Sequence, residues 1–140
     1  MKFLVVYFSR GGKTRKVAET VANELGCGAI DVKKEMPDVS GVDVLIVGSG
    51  NYSGKPDKRI HNFIDNLQPS KNSEAAVFAT SGGADPKCIY IMKEALETKG
   101  YKVISSFKCR GRFLFFNRGH PNENDLKNAK TFAAELKKNL

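Results

Sequence analysis

Hydrophobic residues follow two rhythms along this chain. Short, nearly continuous apolar runs of strand length alternate with stretches in which apolar residues recur every three or four positions. The first run is Lys2–Phe8. A helical stretch, Thr14–Leu25, follows with Val17, Ala18, Val21, Ala22 and Leu25 on one face, and Gly26 stops it. A weaker run, Ala29–Val32, lacks a full hydrophobic pattern and reads as an edge strand. Lys33–Gly41 holds Pro37 and little periodicity, so any helix there is short or missing. Val42–Gly48 is a third strand, buried on both faces. Pro56 then sits at a first helical position ahead of Ile60, Phe63, Ile64 and Leu67. Ala75–Thr80 is a fourth strand. Asp85-Pro86 caps a helix carrying Ile89, Met92 and Leu96, which closes at Lys99-Gly100. Lys102–Phe107 is a fifth strand, and a long loop covers Cys109–His120. Asn122 opens a last helix with Leu126, Ala129, Phe132, Ala133, Leu136 and Leu140 facing inward.

Buried strands that alternate with helices predict an α/β fold: a doubly wound, five-stranded parallel sheet with helices on both faces. Ligands of such sheets bind beyond the carboxyl ends of the strands. Three of those ends are small, polar and glycine-rich. The first is Ser9-Arg10-Gly11-Gly12-Lys13-Thr14. The second is Gly48-Ser49-Gly50-Asn51-Tyr52-Ser53-Gly54, and the third is Thr80-Ser81-Gly82-Gly83-Ala84. A strand feeding a glycine turn and a helix N-terminus is a phosphate cradle. Its amides point outward, the helix dipole favours an anion, and Ser9 and Thr14 add hydroxyls. Gly12-Lys13-Thr14 resembles the end of a Walker A loop, but Tyr7 stands where that loop needs its first glycine. A receiver domain would need acidic residues after the first strand and an aspartate after the third, where Ser9-Arg10 and Ser49-Gly50 stand.

No catalytic constellation gathers on this rim. His61 falls within a helix, His120 precedes another, and no paired carboxylates suggest hydrolysis. Backbone donors, hydroxyls and one aromatic suit a flat phosphate-bearing cofactor that carries the chemistry itself, with Tyr52 stacking on its ring. A metal site is not expected, because Cys27, Cys88 and Cys109 are widely spaced and no Cys-x-x-Cys occurs. An odd number of thiols fits a reducing cytoplasm.

Length and charge refine this picture. The 140 residues make one domain. No apolar run approaches a membrane span, and the N-terminal run lacks a cleavage pattern, so neither a membrane protein nor a signal peptide is expected. Net charge is +8 and uneven: residues 1–80 hold 11 basic and 9 acidic groups, residues 81–140 hold 12 and 6. Lysines interleaved with acids on the helices speak against nucleic acid and for a local anion, either a ligand or an acidic protein partner.

Taken together, the loops make the chain similar to short-chain flavodoxins from end to end. The flavodoxin phosphate loop has the form Ser-x-Thr-Gly-Asn-Thr; Ser9, Gly12 and Thr14 match, and Gly11 and Lys13 depart. The loop through Tyr52 resembles the one that supplies an aromatic to the isoalloxazine. The loop Thr80–Ala84 resembles the one that holds the pyrimidine edge. The tail Cys109-Arg110-Gly111-Arg112-Phe113 with Gly119-His120-Pro121 resembles flavodoxin-like proteins of anaerobes. The resemblance implies strand order 2-1-3-4-5 and a single flavodoxin-like domain over residues 1–140. It implies non-covalent FMN bound by Ser9–Thr14, Ser49–Gly54 and Thr80–Ala84. It further implies an electron carrier that passes single electrons between redox protein partners through semiquinone and hydroquinone states, rather than a self-contained enzyme. A backbone carbonyl at Ser53–Gly54 would then serve reduced N5. Flavodoxins are commonly acidic. The basic charge here, with Arg110 and Arg112 beside the fourth strand, implies a less reducing lower couple and partners with acidic docking surfaces. Arg10 and Lys13 either pair with the phosphate or extend into solvent. An FMN-dependent quinone or NAD(P)H oxidoreductase is the alternative on the same fold, with Phe113-Leu114-Phe115-Phe116 lining a substrate pocket or a partner surface. A flavin-free binding module is the third reading.

Overall fold

The computed structural model describes residues 1–81, 86–110 and 122–138. Strand β1 (Phe3–Tyr7) leads into helix α1 (Lys13–Leu25), then β2 (Ala29–Asp31), β3 (Val44–Gly50), α2 (Lys58–Asp65), β4 (Glu74–Ser81), α3 (Cys88–Thr98), β5 (Lys102–Arg110) and α4 (Glu123–Lys138). The strands form one sheet in the order β2-β1-β3-β4-β5, and every pairing is parallel, as the hydrophobic pattern and the resemblance predict.

Alternation along the strands divides the core in two. Leu4, Val6, Leu45, Val47, Val77 and Ala79 face α2 and α3, meeting Ile60, Ile64, Met92 and Leu96. Val5, Tyr7, Val44, Ile46, Ala76 and Phe78 face α1 and α4, meeting Val17, Val21, Phe132 and Ala133. Central strands buried on both faces have no polar side, which is why their sequences read as unbroken apolar runs. Both ends of α1 are glycines in the left-handed region. Gly12 opens it at φ 87°, and Gly26 closes it at φ 69° with its N–H shared between the Ala22 and Asn23 carbonyls. Asn122 and Asp125 cap the start of α4 reciprocally, each side chain accepting the other's N–H at 2.9 Å.

Several boundaries differ from the sequence expectation. β3 starts two residues later and continues through Ser49 and Gly50, which pair with Ala79 and Thr80. β5 runs on to Arg110, so Cys109 and Arg110 lie in a strand rather than a loop. The first helical residue of α2 is Lys58, with Asp57 as its N-cap, so Pro56 lies just outside. In each case strand pairing or a cap extends or trims an element that local apolar pattern alone could not delimit. The expected Asp85 cap, Gly82–Ala84, residues 111–121 and Leu140 fall outside the described residues.

Candidate functional site

Topology brings the ends of β1, β3 and β4 side by side at one edge of the sheet, and hydrogen bonds lock their loops together. The Thr14 and Thr80 hydroxyls meet at 2.9 Å, joining the first loop to the end of β4. The Asn51 N–H donates to the Thr80 carbonyl at 2.8 Å, and its side-chain oxygen accepts the Cys88 N–H at 3.1 Å, capping α3 from a distant loop. Arg10 of the first loop reaches Asp57 beyond the loop after β3, both Nε and an Nη standing 3.1 Å from one carboxylate oxygen.

The first loop has the features of an anion cradle. The Ser9 hydroxyl accepts the Gly12 N–H at 2.9 Å and shapes the turn. No side chain caps α1 and no acid stands in its first turn, so the amides at its start keep their donors for another acceptor. A Cβ built on Gly11 or Gly12 would meet nothing within 4 Å, so the loop opens onto free space. Thr14 is buried, 2% exposed. Its bond to Thr80 uses one of the pair's two hydroxyl protons, leaving one O–H to donate. These observations fit a phosphate group.

The loop after β3 is a tight hairpin. Tyr52 and Lys55 exchange both main-chain bonds, at 2.8 and 3.0 Å. Ser53 and Gly54 between them have φ of 53° and 81°. Two consecutive positive φ values are the mark of a type I′ turn, in which glycine is favoured and serine is strained. Tyr52 folds back over Gly50, where an added Cβ would stand 2.5 Å from the phenol oxygen. The Arg10 guanidinium stands over the ring, 3.7 Å from its centroid. Burial raises the phenol above its ordinary range, and the Arg10 charge opposes the rise. A flavin stacked on Tyr52 therefore takes the opposite face or displaces Arg10. The Ser49 hydroxyl is engaged inside the loop, donating to the Gly50 carbonyl and accepting the Asp57 N–H.

Sequence reasoning placed Arg10 on a phosphate or in solvent. The structure turns it to Asp57 and Tyr52 instead. Among the described residues Lys13 makes no ion pair. The residue that sequence reasoning missed is Asp57. Its side chain is only 1% exposed, and it accepts from Arg10, from the Arg59 N–H at 2.9 Å and, at longer range, from the Arg59 side chain at 3.7 Å. A signal was available: an aspartate directly before an apolar helical pattern is an N-cap. Gly48 also changes meaning. It belongs to β3, and a Cβ there would fall 2.0 Å from the Phe78 ring, so packing demands the glycine. Of the proposed site residues, Gly82, Gly83 and Ala84 lie outside the described residues, as do Arg112 and the segment 113–116. No cluster of three or more metal-ligating side chains occurs among the described residues, and no helix there is long and apolar enough to cross a membrane.

Comparison with known proteins agrees with this geometry. A family model described as a flavodoxin domain matches residues 4–113. An uncharacterized protein of Methanocaldococcus jannaschii is 34% identical over 151 residues, covering 99% of this chain and 100% of its own. The flavodoxin-like domain-containing protein BilS of Clostridioides difficile is 27% identical over 126 residues, covering 80% of this chain and 67% of its own length. Among solved structures, oxidised flavodoxin 1 from Bacillus cereus superposes with a TM-score of 0.80 at 22% identity, covering 100% of this chain and 99% of that one.

Proposed function

The chain belongs to the flavodoxin domain family, and from that premise we propose that it binds FMN non-covalently and carries single electrons between redox proteins. The uncapped, acid-free start of α1, opening onto free space at Gly11 and Gly12, is the observation that carries this reading. The amides of the first loop, with Ser9, Thr14 and Lys13, would hold the phosphate. The hairpin Asn51–Gly54 would flank the isoalloxazine through Tyr52, with Ser49 and Gly50 as its base. The stretch Thr80–Ala84 would meet the pyrimidine edge. FMN supplies the redox chemistry when bound. The protein's own residues orient it, screen one ring face and set the charge around it. Residues 1–140 form a single FMN-binding domain in this reading. The free thiols Cys27, Cys88 and Cys109 support a reducing compartment.

Titration of the purified chain with FMN, followed by flavin fluorescence, tests the proposal. Submicromolar quenching that weakens when Gly12 is replaced by Asp supports it, since a carboxylate would then face the phosphate. Absence of binding overturns it and leaves the fold intact. Steady-state oxidation of NAD(P)H by the FMN-loaded chain alone would replace the carrier with an oxidoreductase.

A further inference from the structure

The positive charge of this chain is concentrated around the candidate site, in an arrangement that opposes helix stability. Lys13, Arg15 and Lys16 open α1, while Lys58 and Arg59 open α2. Lys87 directly precedes α3, and Arg10 and Lys55 stand in the loops between. Over residues 9–16, 51–59 and 86–88 these eight cations face one carboxylate, Asp57, a surplus of seven in a chain whose net charge is +8. With Asp85, outside the described residues, counted against it the surplus is six. Asp57 is itself buried and held by Arg10 and Arg59, and Arg15 alone is paired down its helix, to Glu19.

A helix N-terminus favours acids and a C-terminus favours bases. α1, α2 and α3 carry no acid in the first turn and no base in the last; only α2 has an acid at its start, the capping Asp57. α4 follows the stabilising rule at both ends, with Glu123 and Asp125 in its first turn and Lys137 and Lys138 in its last. Composition therefore does not account for the pattern, which is confined to the three helices that start around the site. One phosphate at the start of α1 answers the cations there. Lys55, Lys58 and Lys87 lie on a different part of the rim, and among the described residues they make no ion pair. The Lys87 stem lies against Gly54, 3.8 Å from where a Cβ would be, so it sits beside the hairpin that bears Lys55. Tyr90, in the first turn of α3, is 64% exposed, an aromatic at the edge of this charged surface.

We propose that this basic rim is the docking face for the acidic surface of an electron-transfer protein, steered by Lys55, Lys58 and Lys87 and anchored at Tyr90. The inference rests on the proposed function, because a carrier must bring its partner to the edge where the cofactor sits. Charge complementarity selects the partner's sign, and the exposed aromatic suits a protein face. A duplex is the weaker match, since the cations stand on three separate helix starts and the loops between them rather than along one helix or stripe.

The test uses the full chain and an acidic [2Fe–2S] ferredoxin as probe, with a 20-base-pair DNA duplex as comparison, by titration calorimetry at several salt concentrations. The variant is Lys55→Glu/Lys58→Glu/Lys87→Glu. Ferredoxin binding should weaken steeply with salt, and the variant should lose at least tenfold in affinity and most of the salt dependence. Its melting temperature should hold or rise, because glutamates now stand at helix starts. Equal ferredoxin affinity in variant and parent overturns the docking face, as does tighter binding of DNA than of ferredoxin. A Tyr90→Ala variant should weaken binding without changing the salt slope; an unchanged affinity removes Tyr90 from the face. FMN affinity, measured separately, should change less than twofold in the triple variant. Salt-dependent ferredoxin binding by a chain that fails to bind FMN would sink the cofactor reading and leave the docking face standing.

Discussion

Asp57 ties the loop after β1 to the loop after β3, and its replacement separates two kinds of stabilisation. The carboxylate is 1% exposed while its partner Arg10 is 59% exposed, so the pair is buried on one side only. Asp57→Asn keeps an oxygen for the Arg59 N–H and so keeps the cap of α2. It loses the charge that holds Arg10. A hydrogen bond to a charged group contributes about 1.5–3 kcal/mol, and one-sided exposure brings the expectation to about 1–2 kcal/mol. Asp57→Ala loses the cap as well, a further ~1 kcal/mol. For a chain of this size each kcal/mol lowers the melting temperature by roughly 3–4 °C. Urea and thermal unfolding of the flavin-free chain should therefore rank parent above Asn above Ala, with falls of about 3–8 °C and then ~3–4 °C more. In a double-mutant cycle, Arg10→Ala and Asp57→Asn should couple by about 0.5–1.5 kcal/mol. Arg10→Ala also uncovers the Tyr52 ring. The chain has no tryptophan and four tyrosines, so near-ultraviolet circular dichroism reports that change directly. Equal losses for Asn and Ala would refute the division into cap and ion pair. A coupling below ~0.3 kcal/mol would show that the 3.1 Å contact contributes nothing.

Other parts of the site make separate predictions. Thr14→Val leaves the Thr80 hydroxyl buried without its partner and should cost about 1–3 kcal/mol, whereas Thr14→Val/Thr80→Val should cost less than the sum of the singles in urea unfolding. Gly48→Ala drives a methyl into the Phe78 ring and should cost about 1–3 kcal/mol, with partial recovery in Gly48→Ala/Phe78→Leu. Ser53→Gly relieves a positive φ and should stabilise the chain by roughly 0.5–1 kcal/mol, while Gly54→Val should destabilise it even without flavin; melting temperatures decide both. Burial pushes the Cys88 thiol from 9.0 up to about 12. Because the folded value is the raised one, its contribution is complete below pH 9.0 and is lost as pH climbs towards about 12. Cys88→Ala should flatten that alkaline decline in unfolding measurements, and the native thiol should resist alkylation at neutral pH.

Much of the fold was legible because local pattern and tertiary role coincide. Runs such as Leu4–Phe8 and Leu45–Val47 are apolar throughout since both faces of those strands are covered. The helices carry their buried residues at the expected spacing, and Gly26 ends α1 as read. The site was legible in the small, polar ends of β1, β3 and β4, which the sheet brings together. It was less legible in its parts, since glycine and serine serve several purposes. Gly48 makes room for Phe78, Ser49 holds its own loop, and Asn51 caps α3.

Sequence alone determined the alternation of strand and helix, the two-faced burial of the sheet, and the glycine turn that opens a helix after the first strand. These follow from hydrophobic period and glycine placement, which act over a few residues. Tertiary structure decided which charges meet. Arg10 and Asp57 stand 47 positions apart, and Thr14 and Thr80 stand 66 apart. Whether a cation finds a phosphate, a buried carboxylate or an aromatic face depends on which strand ends become neighbours. Parallel pairing in the order β2-β1-β3-β4-β5 sets that, gathering the starts of α1, α2 and α3 at one edge and with them most of the chain's net charge. Electrostatic energies depend on distance in space, and only the folded sheet supplies those distances.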